Sequence, residues 1–326
     1  MAHLQKDSYG CPYLLLAPME GVGDRAFRKS MASIGGFDEA VTDFIRVPSN
    51  AHVQSLAKVY DANETAPIPL AAQIMGSDVQ LVADMAVELI NRGAPRIDLN
   101  CGCPSNTVTG RGAGSSLLKN PETIYEVAKG IVKVASVPVT IKMRSGYQDT
   151  SLFKENLLAA EESGVSYITL HPRTKVEGYG PPANWALIKE AKSIVKIPVV
   201  GNGDILTVND ALKMLKLTGC DALMIGRGSV INPFIFNMIR SHFKSELYIP
   251  QWSDMQRFID VFITNIPQEM SDRGKVNKVK QLMSFLFKSS NDLLQLRPKI
   301  LTYQAQNVQS MIEYSMPLLQ DHFMLN

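Results

Sequence analysis

Tryptophan occurs twice, histidine five times and cysteine four times in 326 residues. Four cysteines at irregular spacing (Cys11, Cys101, Cys103, Cys220) do not make the framework of a disulfide-stapled secreted domain. A surplus of one charge is also missing. With 33 Lys+Arg against 31 Asp+Glu the chain is nearly neutral at +2, which argues against wrapping a polyanion over the whole surface. No apolar run is long enough to cross a bilayer, and the first ten residues offer no basic segment leading into an apolar stretch. What is present is core material: 45% hydrophobic residues beside 20% charged ones exclude a disordered chain. The expectation is a soluble protein of the reducing cytoplasm with no membrane partner. Its length suits one large α/β domain with a smaller appendage.

The charge balance hides an asymmetry. From residue 237 onward there are 10 Lys+Arg and 8 Asp+Glu, and residues 273–299 hold Arg273, Lys275, Lys278, Lys280, Lys288, Arg297 and Lys299 against Asp292 alone. A solvated helix face and a nucleic-acid grip are both compatible with such a patch.

Short β-rich apolar runs recur at 14–17, 40–42, 70–74, 96–100, 139–143, 167–171, 199–201 and 222–225, each followed by helical periodicity. Eight strand–helix units at this spacing predict a (β/α)8 TIM barrel. A doubly wound open sheet would show fewer strands and a glycine-rich first turn, whereas the first turn here is Pro18-Met19-Glu20-Gly21-Val22-Gly23. The longest interval, between the fourth and fifth runs, holds a Gly-, Ser- and Asn-rich loop at 101–118, placed where barrels build active sites. Beyond about residue 240 the pattern is helical. Ser253 with Gln256 resembles a capping box, and Val279, Leu282, Met283 and Leu286 form one apolar stripe. The expected division is a barrel over 1–240 and an all-α domain over 241–326.

Two late strands run into glycine turns, Gly201-Asn202-Gly203-Asp204 and Gly226-Arg227-Gly228. Bare backbone N–H groups after strands seven and eight suit a phosphate-bearing ligand, with Arg227 as a further donor. Lys142 and His171 stand near the ends of the fifth and sixth strands. For Lys142, three readings stand open: a structural ion pair, a Schiff-base lysine, or a cation beside an anionic cofactor. His171 alone reads as a hydrogen-bonded structural residue, and Gln73 as an amide facing a heterocycle or capping a loop. Asn100-Cys101-Gly102-Cys103-Pro104 is the sharpest feature. Its C-x-C pair lacks the further ligands of a structural zinc site, so no metal is expected. Burial as inert thiols suits Cys11 and Cys220. Cys103, between Gly102 and Pro104, is expected to be exposed at the active face. With an ordinary thiol pKa of about 8.5 it would be protonated at neutral pH and able to act as a general acid.

Together with Ala17-Pro18-Met19-Glu20-Gly21-Val22, Gln73-Ile74-Met75-Gly76, Gly112-Ala113-Gly114-Ser115-Ser116-Leu117-Leu118, Lys142-Met143-Arg144 and His171-Pro172-Arg173-Thr174, these segments resemble the tRNA-dihydrouridine synthases. Asp98-Leu99-Asn100 followed by Gly-Cys-Pro is the most diagnostic of them. The stretch Lys278-Val279-Lys280-Gln281-Leu282, with Tyr179 after Glu177-Gly178, looks most like the bacterial synthase C group. The resemblance implies an FMN-binding barrel and a helical tRNA-binding domain, reducing a D-loop uridine, at position 16 by the subgroup likeness, with NADPH as electron source. Carried onto this chain, Pro18, Met19, Glu20, Gln73, Lys142 and His171 would contact the flavin. Asn202, Gly203, Asp204, Gly226 and Arg227 would hold its phosphate side. Cys103 would be the proton donor, Asn100 and Tyr179 would touch the uracil, and Arg173, Lys278 and Lys280 would meet the tRNA. A monomer is expected. His171 is followed by Pro172 where a small residue is anticipated, which leaves the path to Arg173 open.

Two rival functions use the same residues differently. One is an FMN enzyme acting on a free small molecule, as dihydroorotate dehydrogenases do, and the basic tail speaks against it. The other is a non-redox barrel in which Lys142 forms a Schiff base.

Overall fold

The apolar runs become parallel strands: β1 (Tyr13–Leu16), β2 (Glu39–Val41), β3 (Ile45–Arg46), β4 (Leu70–Met75), β5 (Ile97–Cys101), β6 (Val139–Gly146), β7 (Ile168–Thr174), β8 (Val199–Asn202) and β9 (Ala222–Ile225). They come from a computed structural model, which describes residues 4–104 and 112–323. Residues 105–111 of the long loop lie outside the described residues. The strand order is β2-β1-β9-β8-β7-β6-β5-β4, and pairing of β2 with β4 closes the ring into an eight-stranded parallel barrel. All eight expected strands are present. The ninth, β3, is a two-residue extension paired with the mouth end of β4.

Period-two alternation sorts the side chains. Leu14, Leu16, Leu70, Ala72, Ile74, Ile97, Leu99, Ile141, Met143, Ile168 and Leu170 face outward into one large core shared with the surrounding helices. Leu15, Ala17, Val41, Ala71, Tyr167, Val200, Ala222 and Met224 form a separate cluster within the barrel. The same parity that turns Leu99 and Ile141 outward turns Asp98, Asn100, Thr140, Lys142 and Arg144 inward.

The floor of the barrel is polar, and the arginine buried in it is surrounded by partners. Arg96, 2% exposed, donates to Glu39 and Thr140, and lies 3.3 Å from Asp98 and over the Tyr167 ring. A buried cation is tolerated only with such compensation.

Helices start where side chains take up free N–H groups. Asp24 caps Arg25–Ile34 and Asp78 caps Val79–Asn91. Asn120 precedes Pro121 at the head of Pro121–Val134, and Thr207 with Asp210 boxes Val208–Thr218. The helix Trp252–Thr264 begins earlier than the sequence suggested. Its box pairs Gln251 with Asp254, so Ser253 sits inside the first turn. After β9 the described elements are all helical, and Ile235–Phe243 runs through the expected boundary at residue 240. The stripe Val279, Leu282, Met283 and Leu286 is buried as expected. Phe258 of the helical region meets Phe27 edge-on at 6.2 Å, both rings fully buried, an arrangement worth roughly 1 kcal/mol beyond the area it covers.

Candidate active site

The loops at the C-terminal ends of the strands enclose a cavity of about 610 Å³. Strand parity supplies its base, where Gln73, Asn100, Lys142, Arg144 and His171 enter from β4, β5, β6 and β7. The loop after β1 supplies Pro18, Met19 and Glu20, the loop after β5 supplies Cys103, and Tyr179 and Arg227 complete the wall. A narrower cleft of about 70 Å³ shares Pro18, Met19, Lys142, His171, Tyr179 and Arg227, and extends to Asn202, Gly203, Asp204 and Gly226. The sequence-predicted cofactor, acid and uracil residues therefore converge on two adjoining spaces.

Cys103 is 7% exposed, so it is buried in the cavity wall rather than standing in solvent as expected from its loop. Its N–H donates to Asn100 Oδ1 at 2.9 Å, as does that of Gly102, a local side-chain turn that fixes the loop on the strand end. Its Sγ lies 3.7 Å from Glu20 Oε2. Cys101, one strand position from Asn100, is fully buried on the outer face, where burial pushes its thiol pKa up. It is an inert neighbour, and Cys11 and Cys220 are buried too.

Lys142 makes no ion pair among the described residues, so the structural ion pair is the reading that drops out. Burial, with the Arg144 charge adding to it, brings its pKa down to about 8. His171 is driven further, to about 2, first by burial and then by the charges of Lys142, Arg144, Arg173 and Arg227. It is a neutral imidazole, and its buried Nδ1 has no hydrogen-bond partner among the described residues.

Arg144, to which the sequence assigned no role, ties the site together. Nε donates to Gly102 O at 2.9 Å, Nη1 to Thr174 O and Gly178 O, and the guanidinium lies 5.3 Å from the Tyr179 ring centre. Arg227 approaches the same ring at 4.6 Å. Two cations thus hold an otherwise exposed tyrosine over the cavity.

The three side chains expected to meet the tRNA do not line the cavity. Arg173 is 3% exposed and grips Asp204 in a bidentate pair at 3.1 and 2.5 Å. Arg227 pairs with the same carboxylate at 3.0 Å. Burial alone would raise the Asp204 pKa, but the bonds from Arg173 and Ala183 N–H and the two guanidinium charges hold it below the usual carboxylate range. Pro172 causes no break: β7 continues through Thr174, and its register against β6 shifts between Arg144 and Gly146, next to the residue that lacks an N–H. Lys278 is ion-paired with Asp24, and Lys280 donates to the carbonyls of Leu301 and Tyr303.

Sequence reasoning missed Asp43, Phe44, Val22, Val230 and Phe285, which also line the cavity. Phe285 comes from the helix Asp272–Leu286, with the Lys288 ammonium 4.8 Å over its ring, so the basic stretch of the helical region abuts the barrel mouth. Only its placement beside the predicted tRNA patch hinted at this.

An eight-stranded parallel barrel with its convergent side chains at the strand ends defines the class as TIM-barrel enzymes. A morphinone reductase structure superimposes with a TM-score of 0.51 at 11% identity, covering 74% of this chain and 90% of that one, which speaks to the fold. The sequence profile of the dihydrouridine synthases (Dus) matches residues 15–320, and the chain belongs to that family. Similar relatives include a tRNA-dihydrouridine(16) synthase of Neisseria meningitidis serogroup B, 38% identical over 70% of this chain and 71% of that one. Another, from Haemophilus influenzae, is 33% identical over 89% of this chain and 96% of its own length. Family membership makes the chain an oxidoreductase acting on uridine in tRNA, and sets aside the free small-molecule and Schiff-base readings. Among the described residues no helix is long and apolar enough to cross a membrane.

Proposed function

We propose that the chain reduces the C5–C6 double bond of the uridine at position 16 in the tRNA D-loop, with FMN seated in the barrel mouth and NADPH as the reductant. One observation carries the reading: a cysteine thiol, an unpaired lysine and a neutral histidine border the same cavity. The position follows the names of the relatives.

The residues fit a flavin. Lys142 is a half-buried cation in want of an anion, and His171 Nδ1 is a buried polar atom in want of a partner among the described residues. Gly203 has φ +115°, and a Cβ there would come within 3.4 Å of His171 Nε2, while one at Gly226 would meet Met19 Sδ at 3.4 Å. Both turns leave backbone bare beside the shared cleft. Lys142, His171 and Gln73 would hold the ring system, and Asn202, Gly203, Gly226 and Arg227 the phosphate end. The Asp204 carboxylate keeps Arg227 turned inward.

Bound there, a reduced flavin would supply the hydride equivalent for C6 of the pyrimidine. Cys103 then provides the proton at C5: the S–H bond breaks, a C–H bond forms, and the sulfur is left as thiolate. The thiolate then takes a proton back from solvent along the edge of the cavity lined by Glu20, and the S–H bond re-forms. Lys142 would hold a positive charge beside an anionic cofactor. Asn100 and Tyr179 frame the uracil, which must leave its stack to enter. Lys288 and its basic neighbours at the mouth neutralise backbone phosphates while it does so. The enzyme works as a monomer in the cytoplasm, where its tRNA is found. Purified protein is expected to release FMN on denaturation and to form dihydrouridine in unmodified tRNA with NADPH. A colourless protein that cannot be reconstituted would refute the proposal.

A further inference from the structure

The two amides nearest the thiol can each be oriented in two ways, and the ends of one hydrogen-bond chain decide both. At the lower end, Asp98 is a fully buried carboxylate 3.3 Å from Arg96, accepting from Thr140 Oγ1 at 2.6 Å. A carboxylate is acceptor-only, so the Gln73 atom 2.7 Å from its Oδ2 must be the amide nitrogen. At the upper end, the N–H groups of Gly102 and Cys103 both point at Asn100, and only its oxygen can receive them. The middle link then joins Asn100 Nδ2 to Gln73 Oε1 at 2.8 Å, in the one polarity both ends permit. Each amide has spent one N–H within the chain and retains the other, and both side chains border the cavity.

We infer that Asp98 is a positioning residue for the reaction. It sets the direction of the Gln73 amide, so that Gln73 Oε1 receives the Asn100 amide in the orientation the Gly102 and Cys103 N–H groups require, both amides offer donors to the cavity, and Asn100 is held where it supports the loop carrying Cys103. The groups recognised there are acceptors: carbonyl oxygens or unprotonated ring nitrogens of the cofactor and the pyrimidine. This inference rests on the proposed uridine reduction. It adds a residue outside the cavity to the determinants of that site's geometry.

Asp98→Asn is nearly isosteric but can turn a nitrogen toward Gln73, whereas Thr140→Val removes a floor bond and leaves the Oδ2 link intact. Both proteins are compared with wild type for FMN content, kcat and KM on unmodified tRNA. The D98N protein is expected to retain FMN and a KM within about twofold, with kcat lowered about 10- to 100-fold by a misplaced thiol loop. T140V is expected to keep kcat within about threefold. Equal losses in both variants, or wild-type kcat in D98N, would overturn the inference. Should D98N not fold, side-chain ¹H–¹⁵N spectra of wild type decide: one proton of each of the Gln73 and Asn100 amides is expected to exchange slowly, and fast exchange of all four would overturn it. Wild-type protein that neither binds FMN nor reduces tRNA would instead defeat the functional proposal itself.

Discussion

Cys103 Sγ stands 3.7 Å from Glu20 Oε2, and this approach joins the loop after β5 to the loop after β1 across the cavity. The two loops leave strands that are not neighbours in the barrel, so the thiol is held by the closure of the ring as well as by its own strand. Glu20 was expected beside the flavin; the structure sets its carboxylate beside the Cys103 thiol. Replacing Glu20 by Gln keeps shape and hydrogen-bonding capacity but removes the charge. The expected result is a changed pH–rate profile on the limb set by the proton donor, with FMN content unaltered. An unchanged profile would separate Glu20 from the proton's path.

Lys142 gives a stability test with a defined sign. Its pKa falls from 10.5 unfolded to about 8 in the flavin-free fold. Below pH 8 both states carry the proton, and the cost of burying the charge is fully present. Between about 8 and 10.5 the unfolded chain binds more protons than the native one, so stability from this group rises with pH. Flavin-free Lys142→Met should therefore exceed wild type by about 1–3 kcal/mol at pH 7, and the gap should narrow above pH 8. Urea unfolding at pH 7 and 9.5 checks this. With FMN bound the order should reverse, because the anion is then paired with the lysine.

His171 should stay neutral throughout the working range, since its pKa is pushed down to about 2. The pH dependence of FMN affinity from pH 5.5 to 8 should therefore be the same in wild type and in His171→Asn, with the two affinities within severalfold of each other. The sign for stability is the same as that of the lysine, in a lower pH window. As pH falls below about 6.5 the unfolded histidine takes up a proton that the native one refuses, so wild type should lose stability relative to H171N. A step in FMN affinity near pH 6.5 that vanishes in H171N would contradict the assignment.

The basic helical face can be tested by salt. Lys288 reaches the barrel mouth beside Phe285, whereas Lys278 and Lys280 are occupied by Asp24 and by two carbonyls. Lys288→Ala should weaken tRNA binding and lower the slope of log K against log salt by about 0.7–0.9 for each phosphate that the lysine neutralises. Lys280→Ala should act mainly on the stability of the helical region. Filter-binding titrations at several salt concentrations, beside thermal melts, separate the two effects.

Much of the site was legible because strand parity is a local property. Once 139–143 is a strand with Ile141 and Met143 outward, Lys142 has to face inward, and the same rule places Gln73, Asn100 and His171. The two residues of β3 were invisible, since a pair of residues shows no periodicity, and it exists only by pairing with β4. The strand ends of β6 and β7 ran past their apolar runs because a register shift carries the pairing on. Asp43, Phe44 and Val230 were not readable at all, and Phe285 only from its place beside the basic patch: they reach the cavity through the way loops and the helical layer dock. Arg173 shows the same limit from the other side. Its place after His171-Pro172 suggested a role in holding substrate, but its partner, Asp204, is a neighbour only in the folded chain.

The most direct test of the account is dihydrouridine mapping of tRNA from cells lacking this protein, complemented with either wild type or Cys103→Ala. The account predicts dihydrouridine at position 16 restored by wild type. With C103A it predicts a loss of about 10²- to 10⁴-fold in the rate of its formation, while the purified variant keeps its FMN. Full modification by C103A, or an unaltered position 16 in the deletion strain, would contradict it.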